Sequence, residues 1–208
     1  MAAARRLQAI SRALSAAPAS ADEVLRVAFA GVHRSVPTDN GSWPTNSHNW
    51  ASAFAGSPDT AFEVVGFFDN GAATRAEFVE VWREAWGEVP AFDDFGEMLR
   101  EATPDILVVG TRQTFHSANI VSAIEAGVRG IVCDKPLVTS LAEADAIFAA
   151  FEAAEAAGKP VAFAFGTELR WDLAYQTLAR VLASGVIGTV TSVTASGVGD
   201  CINHGCHW

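Results

Sequence analysis

Cysteine is scarce in this chain: 208 residues hold only Cys133, Cys201 and Cys206. Three thiols cannot build a complete disulfide framework, and the number fits a reducing compartment. No apolar run approaches the roughly 18–20 residues of a membrane span, so no membrane partner is expected. Positive charge is also short, with 14 Lys and Arg against 24 Asp and Glu and a net charge of −10. A nucleic-acid surface needs clustered Lys and Arg to displace counterions, so that partner is not expected either. Residues 1–21 reverse the balance, with Arg5, Arg6 and Arg12 and no acid. This Ala-, Ser- and Arg-rich stretch has the composition of an organelle address, but it lacks the apolar segment of a secretory signal. Read instead as a flexible extension over 1–23, it leaves the protein in the cytoplasm. What the chain does have is apolar content: half of its residues are hydrophobic, enough for one substantial core.

Apolar runs of strand length alternate with segments of helical period. Strands are predicted over Leu25–Ala30, Phe62–Phe68, Ile106–Val109, Gly130–Cys133 and Val161–Phe165. Thr74-Arg75-Ala76-Glu77 and Ser140-Leu141-Ala142-Glu143 both read as capping boxes that open helices. A third helix runs from His116 to Ala126 and stops at Gly127. Strands apolar throughout are covered on both faces, as in a parallel sheet, so the class is α/β with a doubly wound sheet. Beyond Phe165 the pattern predicts a helix around Asp172–Ser184, a turn, and an alternating strand over Thr189–Ser196 that begins a second sheet. Cys133-Asp134-Lys135-Pro136 ends one strand just before a helix. It places an ammonium at the carboxyl end of a strand, where open α/β sheets bind ligands. The proline restrains Lys135 towards extended backbone. The loop from Gly110 to His116 repeats the arrangement one strand earlier, and two such loops suggest one cleft.

Four motifs in order carry a resemblance: Thr111-Arg112-Gln113-Thr114-Phe115-His116, Cys133-Asp134-Lys135-Pro136, Arg170-Trp171-Asp172, and Asn203-His204-Gly205-Cys206-His207. The set resembles the Gfo/Idh/MocA family of nicotinamide-dependent oxidoreductases, named for glucose–fructose oxidoreductase and inositol dehydrogenase. The resemblance implies a Rossmann-type dinucleotide-binding domain over 24–166 and the start of a second α/β domain over 167–208, incomplete here. It implies hydride transfer between the cofactor and an alcohol or carbonyl of a sugar, cyclitol or related polyol. Lys135 would contact the reacting hydroxyl and His207 would act as acid/base. Asn203 stands where the family has an aspartate; it can hydrogen-bond, but it cannot offset an imidazolium. Asp200 and His204 form a competing alignment. The cofactor would be lined by Gly31, His33, Asp69, Thr111, His116, Asp134 and Lys135. An acid at the end of the second strand, Asp69, repels a 2′-phosphate, which favours NAD over NADP without excluding it; Arg75 nearby softens the preference.

The chain departs from the family in its first loop. The usual G-x-G-x-x-G becomes Gly31-Val32-His33 followed by an insertion from Arg34 to Ser47, and only the first glycine is kept. That departure and Asn203 leave a second reading open, a cofactor-binding sensor without turnover; a scaffold or degenerate paralogue is the third. Cys201, His204, Cys206 and His207 invite a zinc site, but C-x2-H-x-C-H is not a usual zinc spacing, and no metal is expected. Family members continue well past this length. The chain is therefore expected to be a fragment with little turnover, and a homo-oligomer only when full-length.

Overall fold

Parallel pairing joins six strands in the order β3-β2-β1-β4-β5-β6. The computed structural model describes residues 24–35, 49–55, 62–167 and 172–194. In chain order the strands are β1 Leu25–Ala30, β2 Phe62–Phe68, β3 Ala91–Phe92, β4 Ile106–Val109, β5 Gly130–Cys133 and β6 Ala162–Phe165. The helices are α1 Trp50–Ala55, α2 Ala72–Trp86, α3 Phe95–Ala102, α4 Gln113–Ala126, α5 Leu141–Ala156 and α6 Leu173–Ala183. This is the Rossmann-like doubly wound sheet that the sequence predicts.

Side chains alternate across a strand, so β1, β2, β4 and β5 each feed two cores. On one face Ala28, Ala30, Leu107, Val109 and Ile131 pack with Met98, Ile120, Ile124 and Ile147 from α3, α4 and α5. On the other face Val27, Phe29, Phe67 and Val108 pack with Ala51, Phe78 and Trp82 from α1 and α2. Covering both faces explains why the strands are apolar without alternation.

Register brings the strand ends level. Ala30 lies opposite both Phe68 and Val109, Val109 opposite Cys133, and Cys133 opposite Phe165. The five loops that follow therefore leave one edge of the sheet. Strand order reverses between β1 and β4, and that is where such sheets open a ligand crevice.

Several local expectations change. Helix α2 starts at Ala72 with Gly71 as N-cap, ahead of the predicted Thr74 box. The Asp69 carboxylate takes the Gly71 N–H at 2.9 Å, so the end of β2 already supplies the acceptor that starts the helix. Helix α4 starts at Gln113 rather than at His116. The Ser140 box forms as expected, with Ser140 and Glu143 each accepting the other's backbone N–H. β3 and α3 have no counterpart among the sequence predictions. β3 is too short to register as an apolar run, and α3 is announced only by Asp94, which accepts the Glu97 N–H at 2.6 Å.

The chain divides into two compact units, Met1–Gly166 and Thr167–Trp208. In the second, Asp172 caps α6 by accepting the N–H groups of Ala174 and Tyr175. The expected strand over 189–196 does not form across 189–194. A strand is defined by a bonded neighbour, and none stands there among the described residues. No helix among the described residues is long and apolar enough to cross a membrane.

Candidate functional site

Glycine decides the shape of the first strand end. Gly31 has φ +81°, and a Cβ there would sit 2.7 Å from the Thr111 backbone. The tips of β1 and β4 are thus pressed together, with Gly110 donating its N–H to Ala30 at 2.8 Å. Gly31 donates to the Phe68 carbonyl at 2.8 Å, which ties in β2 as well.

Asp69 closes this corner. Its Oδ2 accepts the Val32 N–H at 3.0 Å and its Oδ1 accepts the Gly71 N–H at 2.9 Å. The residue is only 8 % exposed, yet each carboxylate oxygen has a second lone pair to offer. Arg75 does not pair with this carboxylate. Its guanidinium donates to the Asp69 backbone carbonyl at 2.6 Å and meets Asp93 at 3.5 Å. His33 is exposed in a short 3-10 turn, His33–Ser35, which Trp82 holds through Nε1 to the Ser35 carbonyl at 2.9 Å.

The loops after β4 and β5 are joined from beneath. His116 is 1 % exposed. Its Nε2 lies 2.8 Å from the Thr111 carbonyl, while Nδ1 lies 3.0 Å from the Pro136 carbonyl and 3.2 Å from that of Leu137. Both loops thus pack on this one ring, and its tautomer sets which carbonyl receives the N–H. Thr111 is held further by Asn119, whose Nδ2 donates to Oγ1 at 3.0 Å.

β5 delivers the charged pair. Asp134 donates its N–H to Val109, and its carboxylate accepts the Lys135 N–H at 2.7 Å. Lys135 is exposed, and its peptide bond to Pro136 is cis. Cys133, just below, is fully buried; burial pushes its thiol up to about 12, and the Asp134 carboxylate adds to the shift.

Two neighbours went unnoticed in the sequence. Asn49 caps α1 through Oδ1, which takes the Ser52 N–H at 2.8 Å. Its Nδ2 is the only buried side-chain polar atom without a partner among the described residues. Trp50 follows, beside Gly110 and Gly166. Only their place between the first strand and the second could have pointed to them. Gly31, Asp69, Thr111, Asp134 and Lys135 all lie at the loop-bearing edge, with His33 in the turn after β1 and His116 beneath. Asn203, His207 and the rest of the carboxyl-terminal cluster lie outside the described residues, as do insertion residues 36–47. Among the described residues no cluster of metal ligands occurs.

The family described as an oxidoreductase family with an NAD-binding Rossmann fold matches residues 25–165. D-apiose dehydrogenase of Paraburkholderia graminis is 34% identical over 106 residues, which cover 51% of this chain and 27% of that protein. D-glucoside 3-dehydrogenase of Escherichia coli is 27% identical over 128 residues, covering 62% and 35%. Among solved structures, myo-inositol dehydrogenase from Lactobacillus casei in complex with NAD(H) and myo-inositol aligns with a TM-score of 0.62 at 20% identity, covering 80% of this chain and 43% of that one. The matched stretch thus spans well under half the length of these proteins.

Proposed function

The chain belongs to the Gfo/Idh/MocA oxidoreductase family, and from that premise we propose that it binds NAD across the loop-bearing edge of its sheet and serves the oxidation of a sugar, cyclitol or related polyol. The observation that carries the reading is Asp69, a buried carboxylate held by two backbone N–H groups beside the Gly31 turn. It stands next to the reversal of strand order, the place where an acid meets the adenosine ribose in this fold.

The residues present fit a dinucleotide. Asp69 keeps acceptor capacity for ribose hydroxyls, and its charge disfavours a 2′-phosphate. The unpartnered Asn49 Nδ2 lies in the segment between β1 and β2, where the fold brings phosphates to backbone donors. That donor partly answers for the glycines lost after Gly31. Gly31, His33, Asp69, Thr111, Asp134 and Lys135 would hold the cofactor, with His116 fixing the loops that carry the last three.

When bound, nicotinamide supplies the hydride acceptor. Lys135 holds the alcohol oxygen, and its charge favours the alkoxide that develops there. By the family's pattern His207 would take the hydroxyl proton, and Asn203 stands where the family has an aspartate. Asp134 keeps the Lys135 backbone in place. Residues 24–166 form the dinucleotide-binding domain, and 167–208 open a second domain that belongs to substrate binding and to oligomer contacts.

A sensor that binds the cofactor without turnover is the second reading, favoured by the single glycine of the first loop and by Asn203. Titration of the purified chain with NADH and NADPH, followed by nicotinamide fluorescence, tests both readings. NADH is expected to bind more tightly than NADPH, and a polyol and sugar panel is then scored for NAD reduction. Binding with no reduction by any member supports the sensor. No binding of either nucleotide sinks both readings.

A further inference from the structure

Trp50 occupies a place that none of the motifs accounts for. A Cβ added to Gly166 would lie 2.9 Å from its Cζ2 and 3.3 Å from its Cη2, and one added to Gly110 would lie 3.7 Å from its Cδ1. Gly110 follows β4 and Gly166 follows β6, with β5 between them. Neighbouring strands stand about 4.8 Å apart, so these two tips are separated by roughly 10 Å. With one end of the indole in the path of a Gly166 side chain and the other in the path of a Gly110 side chain, the ring spans that gap. The ring therefore bridges the end of β5, from which Asp134 and Lys135 depart. Gly166 is further bound to β5 by its N–H to the Cys133 carbonyl at 2.8 Å.

The sheet order says which half of a dinucleotide meets this ring. Asp69 ends β2, on one side of the reversal between β1 and β4, whereas Trp50 and Lys135 lie on the other side. A dinucleotide in this fold spans that reversal with one half on each side. With the adenosine ribose at Asp69, the nicotinamide falls beside β5. A half-buried indole held against two strand tips is a rigid, flat, apolar surface, the kind on which a planar heteroaromatic ring stacks.

We propose that Trp50 forms the wall against which the nicotinamide ring packs beside Lys135, so that it contributes to binding that ring and not to binding the adenosine half. The proposal rests on the reading of this edge as an NAD site. It also gives Gly166 a reason: any side chain there would push the indole off the strand ends.

Calorimetric titration of the 208-residue chain with NADH and with ADP-ribose, which lacks the nicotinamide, separates the halves. Trp50→Leu is expected to weaken NADH about tenfold, the scale of one lost aromatic stack, while ADP-ribose binds as before. Trp50→Phe keeps a stacking ring and stays near the parent value. Should Trp50→Leu fail to fold, judged by circular dichroism, Gly166→Ala displaces the indole instead, with the same expected split. Equal weakening of both ligands, or no change in either, overturns the wall. If the parent chain binds ADP-ribose but not NADH, the wall alone falls. If it binds neither, the NAD site falls with it.

Discussion

Asp69 does two jobs with one carboxylate, fixing the turn after β1 and capping α2, and in the proposed NAD site its remaining lone pairs face the ribose. Asp69→Asn sets an amide N–H₂ against one of the two backbone donors. The expected cost is about 1–3 kcal/mol in urea unfolding, because a buried donor is left unmet. In the same variant the preference for NADH over NADPH should shrink. Gly31→Ala is harsher. A φ of +81° strains an L-residue, and the added Cβ meets backbone that cannot turn aside. A loss above about 2 kcal/mol is expected from strain and clash together, read from the shift of the denaturation midpoint. Cys133 offers a chemical test. With its thiol pushed up to about 12 by burial, it should resist alkylation at pH 8 until denaturant is added. Peptide mass mapping would locate the label. The sign of the linkage is fixed: an unfolded thiol ionises near the ordinary value of 9.0, whereas the folded one holds its proton. Stability therefore falls as pH climbs from there towards 12.

Helices α3, α5 and α6 begin with a carboxylate or hydroxyl that meets otherwise unpaired N–H groups. α5 starts at the Ser140–Glu143 box and carries Ile147 into the core, so its loss should reach the global unfolding. Ser140→Ala is expected to cost about 1 kcal/mol, with Asp94→Ala at α3 similar; chevron or equilibrium denaturation would register both. The Glu143 carboxyl sits below its ordinary range because the Thr139 hydroxyl and N–H donate to it, followed by the Ser140 N–H. Its contribution is complete above the usual glutamate range and is lost as pH drops through the depressed value. Glu143→Gln should make the acid limb of the stability profile shallower. Between elements, His116 is the tie: Thr111 from one loop and Pro136 from the next meet on one ring. His116→Ala should cost about 3 kcal/mol through the vacated volume and a stranded carbonyl. It should also weaken NADH binding by loosening the Lys135 loop, a change that calorimetry would detect.

At the scale of the molecule, both apolar clusters draw, among the described residues, only on those before Gly166. Residues 24–166 expressed alone are expected to unfold in a single cooperative transition and to bind NADH as tightly as the 208-residue chain. A broad or two-phase denaturation curve would contradict this. The proton acceptor proposed above, His207, belongs to residues 167–208. The shortened chain should bind without reducing NAD, whatever polyol is supplied.

Strand identity was legible in the residues themselves. Leu25–Ala30, Phe62–Phe68, Ile106–Val109 and Gly130–Cys133 are apolar at every buried step, and burial on both faces leaves no other use for such runs. Ser140 announces α5 because a cap is a local bond between near neighbours. Position along the chain even set Asp69 and Lys135 at strand ends. Proximity between distant segments was not legible. Nothing near Trp50 in sequence says that its indole will rest on Gly110 and Gly166, nor does anything near His116 say that it will meet Pro136. Those contacts exist only once the parallel register has brought the ends of β1, β4, β5 and β6 level. Local bonding and periodicity chose the elements, and the packing of non-adjacent strand tips brought their loops to one edge.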